Sequence, residues 1–349
     1  MPTSSVPVSF WGARELKRMI LTSSSGVGLT YADRADMVIP FIYRFVSGPL
    51  PTPDHLIRYL GWREFRTLID EMHWSDCVPV RQSPLIRRQD RAGALLWICE
   101  NYAVDLIELW FDPEPNSQLQ LIWILDYLRF RPSLTENLRL RHVDFSLRGA
   151  DPAELRHRDV EQLDVAESDV EIATLAWEAY RAPTPELCAA LLDRPLGKLS
   201  FLKPAMEDLL SELPSPVTGL GATETRLLEL IASGRSRADE LFRPGTPEVR
   251  VFDPWELGAL LEGLAFGPVP AIAGLDGKLL TLDPDNTRGR NAAYRRSRLS
   301  LTEFGKAVLE GREDFRRHNP IRRWWGGTFL TSERLWRWDA ENHALIAPD

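Results

Sequence analysis

The sequence predicts an α/β domain with a mostly parallel sheet, then a mainly α connector, then a C-terminal winged helix-turn-helix domain. Three observations predict it. Residues 1–150 alternate short strand-like and helix-like segments, the pattern of a sheet wrapped by crossover helices. Residues 151–215 carry four successive stretches of helical periodicity. Residues 216–349 offer three helices, a two-stranded wing, a final helix and a Trp-rich tail, the order of a winged helix. At 349 residues the chain can hold two or three such units.

Residues 6–10 are apolar and short, and Gly12 breaks them. Over 13–21, Leu16, Met19 and Ile20 are spaced like one helix face. A dense apolar run over 37–45 ends at Ser47-Gly48-Pro49, a turn signal. Pro53-Asp54 opens a helix to about residue 72, and 92–102 is another. Residues 105–111 are nearly continuous in Leu, Ile, Trp and Phe, as in a strand buried on both faces. A Pro-containing loop leads into a helix over 118–130, with Asn116 or Ser117 as its N-cap. Residues 137–147 alternate apolar positions as a strand. Connector helices are expected over 151–164, 168–181, 184–193 and 200–213, with Pro185 and Pro204 fitting helix starts. A hinge-like break follows at Pro214-Ser215-Pro216 and Gly219 to Gly221. Beyond it come helices over 223–233, 236–242 and 254–265, a hairpin pairing 278–282 with 296–301, and a helix over 302–309.

Composition narrows the function classes. Hydrophobic residues are 44% and charged residues 26%, ordinary for a globular protein and incompatible with a disordered or collagenous chain. Three scattered cysteines (Cys77, Cys99, Cys188) do not make a disulfide framework. With no secretory pattern in the first ten residues and no apolar run of membrane-spanning length, a cytoplasmic protein without a membrane partner is expected. The net charge of −8 is uneven: residues 151–287 carry 12 Lys+Arg against 25 Asp+Glu, and residues 288–337 carry 13 against 5. Two such blocks either face each other within the fold or across a dimer, or mark a nucleic-acid contact.

The best site candidate is the loop after the 105–111 strand. Asp112 and Glu114 stand where α/β proteins build ligand sites and could act as acid and base. Gln118 opens the next helix, whose N-terminus favours anions. Gly12 and Gly48 mark turns that could join the same sheet edge. The run Ser23-Ser24-Ser25-Gly26-Val27-Gly28 lacks the Lys of a P-loop and reads as a flexible surface loop. The His and Cys spacings offer no metal set, and no cofactor is implied. Arg288, Arg290, Arg295, Arg296 and Arg298 surround the expected wing and could hold nucleic acid or a partner. The helix over 254–265 carries Glu256 and Glu262 and no base, unlike a major-groove reader. Trp324, Trp325, Trp336 and Trp338, beside Gly326-Gly327, read as a tail locked onto the domain.

The run Leu109-Trp110-Phe111-Asp112-Pro113-Glu114-Pro115-Asn116-Ser117-Gln118-Leu119-Gln120-Leu121 resembles the centre of the bacterial family called domain of unknown function 1835. Similar pieces follow at Thr223-Glu224, Leu301-Thr302-Glu303-Phe304-Gly305, Asn319, Trp325-Gly326-Gly327 and Trp336-Arg337-Trp338-Asp339. The resemblance implies a bacterial cytosolic protein and brings no activity with it. The family's Asn-Gly-Asp turn is matched by Phe10-Trp11-Gly12-Ala13, and its His-Glu-Gly-Pro motif by Val46-Ser47-Gly48-Pro49. The polar residues of both motifs are therefore replaced, which weakens an enzyme reading.

The sequence thus leads to a non-enzymatic binding or regulatory protein acting through protein contacts, without specifying an oligomeric state. Two alternatives stand beside it. One is a nucleotide- or phosphometabolite-binding enzyme or sensor using the 112–120 loop, which requires its turns to meet at one sheet edge. The other is a DNA-binding regulator using the basic wing.

Overall fold

The computed structural model describes residues 16–41, 43–54, 56, 95, 99, 104–241, 251–277 and 293–348. Gly12, Arg288, Arg290 and the 278–282 strand of the expected hairpin lie outside them, as do most of the helices expected over 53–72 and 92–102.

An N-terminal α/β sheet with mostly parallel strands organises the chain. Strands β1 (Leu16–Ser23), β2 (Met37–Phe41), β3 (Val104–Trp110), β4 (Leu138–Arg141) and β5 (Gln162–Asp164) lie in the order β2-β1-β3-β4-β5. The first four run parallel, and β5 is antiparallel to β4. Period-two alternation divides the side chains between two cores. Met19, Leu21, Ile39, Ile107 and Leu109 face one of them. There they meet helix α1 (Pro115–Leu128) and then α3 (Glu167–Arg181), α4 (Glu186–Leu191) and α5 (Leu202–Leu210). Ile20, Val38 and Trp110 face the other, under a 3-10 segment at Ser24–Tyr31 and helix α2 (Pro152–His157).

Four sequence expectations change here. Residues 13–21 are not helical where described: Leu16–Ser23 is the central strand β1. A strand covered on both faces needs apolar residues at consecutive positions, and such a run also satisfies helical spacing. The helix expected over 151–164 stops at His157, and Gln162–Asp164 pairs with β4, where Arg139 Nε meets Asp164 Oδ1 at 2.9 Å. The strand expected over 137–147 ends at Arg141, where Val143 N turns back onto Arg141 O, and further on the Leu147 amide is held by Asp112. Helix α1 begins at Pro115, so Asn116 and Ser117 lie inside its first turn rather than capping it.

The C-terminal region forms a second core from α6 (Ala222–Ala232), α7 (Ala238–Leu241), α8 (Pro254–Ala265), strands β6 (Ile272–Ala273) and β7 (Ser300–Leu301), and helix α9 (Glu303–Leu309). Strand β7 pairs with β6, and Arg237 bridges Arg298. Residues 293–296 form a helical turn instead of the start of a strand, buried at Tyr294.

The chain ends in two hairpins, β8 (Arg322–Trp325) with β9 (Thr328–Thr331), and β10 (Arg337–Asp339) with β11 (Ala344–Ile346). Trp325 and Trp338 of these hairpins, and Trp336 just before β10, enter the core of the sheet domain. Trp325 Nε1 donates to Leu209 O at 2.7 Å. A Cβ on Gly327 would stand 2.0 Å from Arg181 O, so only glycine lets the hairpin lie on α3. Among the described residues no helix is long and apolar enough to cross a membrane.

Candidate functional site

Chain order and sheet order together single out one place. From β1 the chain moves outward to β2, then returns to the other side of β1 to make β3. The crevice beyond the carboxyl ends of β1 and β3 is therefore the switch point, where open α/β sheets place ligands.

The two strand exits are built to approach each other. Thr22 Oγ1 donates to Trp110 O at 2.6 Å, tying the ends of β1 and β3. After Ser23 the chain folds straight back over Thr22. A Cβ at Gly26 would lie 1.9 Å from Thr22 Oγ1, so this turn requires glycine. The 23–28 run is thus no surface loop: Ser25 and Gly26 are buried. The Ser25 hydroxyl donates to the carboxylate of Glu114, which follows β3.

Buried amides of α1 place the exit of β2 at the same edge. Asn116 Oδ1 accepts from Phe45 N at 2.7 Å, and Asn116 Nδ2 donates to Tyr43 O at 3.1 Å. Gln120 Nε2 donates to Tyr43 O at 2.5 Å. The backbone so held delivers Arg44, whose Nη1 lies 3.7 Å from Glu114 Oε1. On the other side Arg148, which follows β4, donates Nη2 to the same oxygen. Glu114 therefore gathers a serine and two arginines from three different strand exits.

Arg44 also reaches out of the sheet domain. Its Nη2 lies 2.6 Å and its Nε 3.1 Å from the Glu256 carboxylate on α8. Nη2 also donates to Val251 O at 2.9 Å. Ser47 Oγ donates to Glu256 Oε1 at 2.8 Å. Burial pulls the Arg44 pKa down, and Glu256, Asp253 and Glu114 more than reverse that pull, so the guanidinium stays charged.

Asp112 behaves differently from Glu114. It is 1% exposed. Its Oδ2 accepts from Leu147 N at 2.9 Å, while its Oδ1 has no hydrogen-bond partner. Burial first, and the charge of Glu114 second, push its pKa up to about 6. The Ser117 hydroxyl lies close enough to ease ionisation, yet falls short of hydrogen-bonding geometry and is itself unpartnered. Two orphaned polar atoms thus sit at the start of α1, a costly arrangement for groups without a partner.

The other sequence candidates are placed as follows. Gln118 is not free for a ligand, since its Nε2 donates to Asp112 O at 2.8 Å and braces the loop. Gly48, at φ 73°, turns the chain just past Ser47. Arg295 and Arg296 are exposed on the helical turn, and Arg298 is exposed at an isolated bridge to Arg237. Sequence reasoning missed Ser25, Arg44, Arg148 and Glu256. Only Ser25 carried a signal, as part of a run that resembles a phosphate loop; Arg44 and Glu256 are 212 residues apart and have no local mark. Among the described residues no group of three or more His, Cys, Asp and Glu side chains could hold a metal ion.

No family model and no curated protein matches the chain.

Proposed function

We propose that this chain is a binding protein, a sensor rather than an enzyme, for a small hydroxyl-bearing anion of the nucleotide or sugar-phosphate class. One observation carries the reading: Ser25 from the exit of β1 and Glu114 from the exit of β3 meet at the switch point. The chemistry around them fits that class. Arg148, with 43% of its side chain exposed, is the cation a phosphate can reach. Carboxylates such as Asp112 and Glu114 suit the hydroxyls of a sugar, as they do in dinucleotide sites.

A sensor fits better than a hydrolase because Ser25 donates to a carboxylate already compensated by two arginines. Several histidines have other neighbours: His142 packs on Phe201, His318 pairs with Glu313, and His343 meets Trp338. Protein contacts enter as the output of the sensor. The winged-helix reading of 216–349 belongs to that output, supported by the order α6, α7, α8, β6, β7 and the bridge from Arg237 to Arg298. Membership of domain of unknown function 1835, read from the run 109–121, belongs to the same proposal.

Thermal unfolding of the full chain against nucleotides, sugar phosphates, divalent metals and short duplex DNA tests the reading. A native-state ligand present at 100 times its Kd adds about 2.7 kcal/mol. A nucleotide or sugar phosphate should raise the midpoint, and Arg148→Ala with Ser25→Ala should abolish the rise. No shift from either class sinks the reading. DNA binding has one observation in its favour, the exposed Arg295, Arg296 and Arg298. Against it, the first turn of α8, the end a recognition helix presents, has Glu256 buried against Arg44 and Ser47. A salt-sensitive shift with duplex DNA alone would reverse this order.

A further inference from the structure

The carboxylate of Glu256 does two jobs at once. Its Oε2 accepts from Asp253 N at 2.8 Å while Glu256 N donates to Asp253 Oδ1 at 3.0 Å, the reciprocal pair that starts helix α8. The same carboxylate takes the fork of Arg44 and the hydroxyl of Ser47. The start of α8 and its attachment to the sheet edge are therefore one set of bonds. Arg44 in turn lies 3.7 Å from Glu114, the residue that holds Ser25 and Arg148. A chain of alternating charge, Arg148–Glu114–Arg44–Glu256, runs from the half-exposed end of the site into the C-terminal core.

We propose that this chain couples occupancy of the sheet-edge site to docking of α8, so that a ligand engaging Glu114 tightens the C-terminal region against the sheet. The inference rests on the ligand-binding reading above. The physics is a charge balance. Glu256 and Asp253 are attracted to Arg44 and Arg148 and repelled by Glu114. A ligand hydroxyl that donates to Glu114 offsets its charge and leaves Arg44 more fully to Glu256, while the ligand's phosphate, held at Arg148 at the far end of the chain, acts more weakly in the opposite sense. In this buried setting such charges act over several ångströms with little screening. Arg148 contributes at longer range and with the opposite sign to Glu114.

Hydrogen–deuterium exchange of the α8 amides in the full chain tests the coupling without a ligand. Exchange in α4, which packs against α3 and α5, serves as the internal reference. Glu114→Gln removes the charge and keeps an acceptor for Ser25; it should slow α8 exchange by at least about threefold. Arg148→Ala leaves Glu114 less compensated and should speed it by a similar factor. Both effects should shrink when Glu256→Gln is present, leaving only the part that Asp253 carries. Opposite signs matter, because general loosening of the site would speed exchange in both variants. Shifts of the same sign, no shift, or shifts undiminished by Glu256→Gln overturn the coupling. Failure here leaves the ligand panel standing, whereas a silent panel sinks the binding reading with the exchange result intact.

Discussion

At the junction between α6 and the tail, Glu224 takes Arg316 Nη2 on both oxygens at 2.7 and 2.9 Å, the Gly221 amide at 3.0 Å, and Arg323 at 3.4 Å. At the sheet edge, Glu114 takes Ser25, Arg148 and Arg44. Both clusters join segments far apart in sequence with the same residue types, and they differ in closure. The Arg316 and Glu224 side chains are 8% and 4% exposed, whereas those of Arg148 and Glu114 are 43% and 14%. The sheet edge also keeps Asp112 Oδ1 and Ser117 Oγ without partners. An ion cluster whose central charge pair is satisfied and sealed is a lock. One with an open end and orphaned polar atoms can respond to something else. The lock is also where the acidic and basic stretches of the sequence meet, Glu224 from one and Arg316 and Arg323 from the other.

The largest expected contrast comes from removing one arginine at each place. Arg316→Ala strands a buried carboxylate and should cost about 3–5 kcal/mol. Arg148→Ala removes a half-exposed partner and should cost about 1 kcal/mol or less. Urea unfolding of the two variants measures both. Equal losses would erase the distinction between lock and site.

A middle-sized contrast lies in pH. Burial pushes Glu212, beside Thr223 at the lock, up to about 7, against its bonds to Thr223 and the nearby Arg323. A carboxyl raised in the folded state favours folding below its ordinary value of 4.5, and that contribution is lost as pH rises toward 7. Asp112 acts in the same sense between 3.8 and about 6. Glu224 acts oppositely. Burial pushes it up, but Arg316 and Arg323 hold it down at about 2, so its stabilisation is present above 4.5 and fades as pH falls toward 2. Stability should therefore rise from pH 2 to about 4.5 and decline toward 7. Glu212→Gln should flatten the decline and leave the ligand-induced shift alone. Asp112→Asn should flatten the part below pH 6 and also reduce the ligand shift. A slope untouched by both substitutions would show that other groups control it.

How much of this was legible in the sequence follows from the range of the interactions. The 112–120 loop was legible because a buried apolar strand, a proline and two carboxylates fall in a few consecutive residues. The strand nature of Leu16–Ser23 was not, because burial on two faces erases the alternation that separates strand from helix. The serine run looked like a loop because polarity reads as exposure. Its hydroxyls in fact answer carboxylate and amide groups nearly ninety residues away or next door. The partnership of Arg44 with Glu256 spans two cores, and no local pattern encodes it. For the same reason Gln118, chosen for its place at a helix start, proved to brace its own loop.

The smallest contrast is also the sharpest test of the orphaned atoms. Thr223 donates its hydroxyl and its amide to Glu212, so Thr223→Ala leaves that buried carboxylate short of a bond and should cost about 1–2 kcal/mol. Ser117 is as deeply buried, but its hydroxyl makes no well-formed hydrogen bond and has only Asp112 beside it. Ser117→Ala removes a desolvated group without breaking a bond, and helix propensity favours alanine at this position. Stability should change by no more than about 0.5 kcal/mol, in either direction. The same substitution should reduce the thermal shift given by a nucleotide or sugar phosphate, because a hydroxyl next to Asp112 at the first turn of α1 is placed to meet a bound anion. A large loss of stability in Ser117→Ala would mean that the hydroxyl has an internal partner after all, and the sheet edge would then be a second lock.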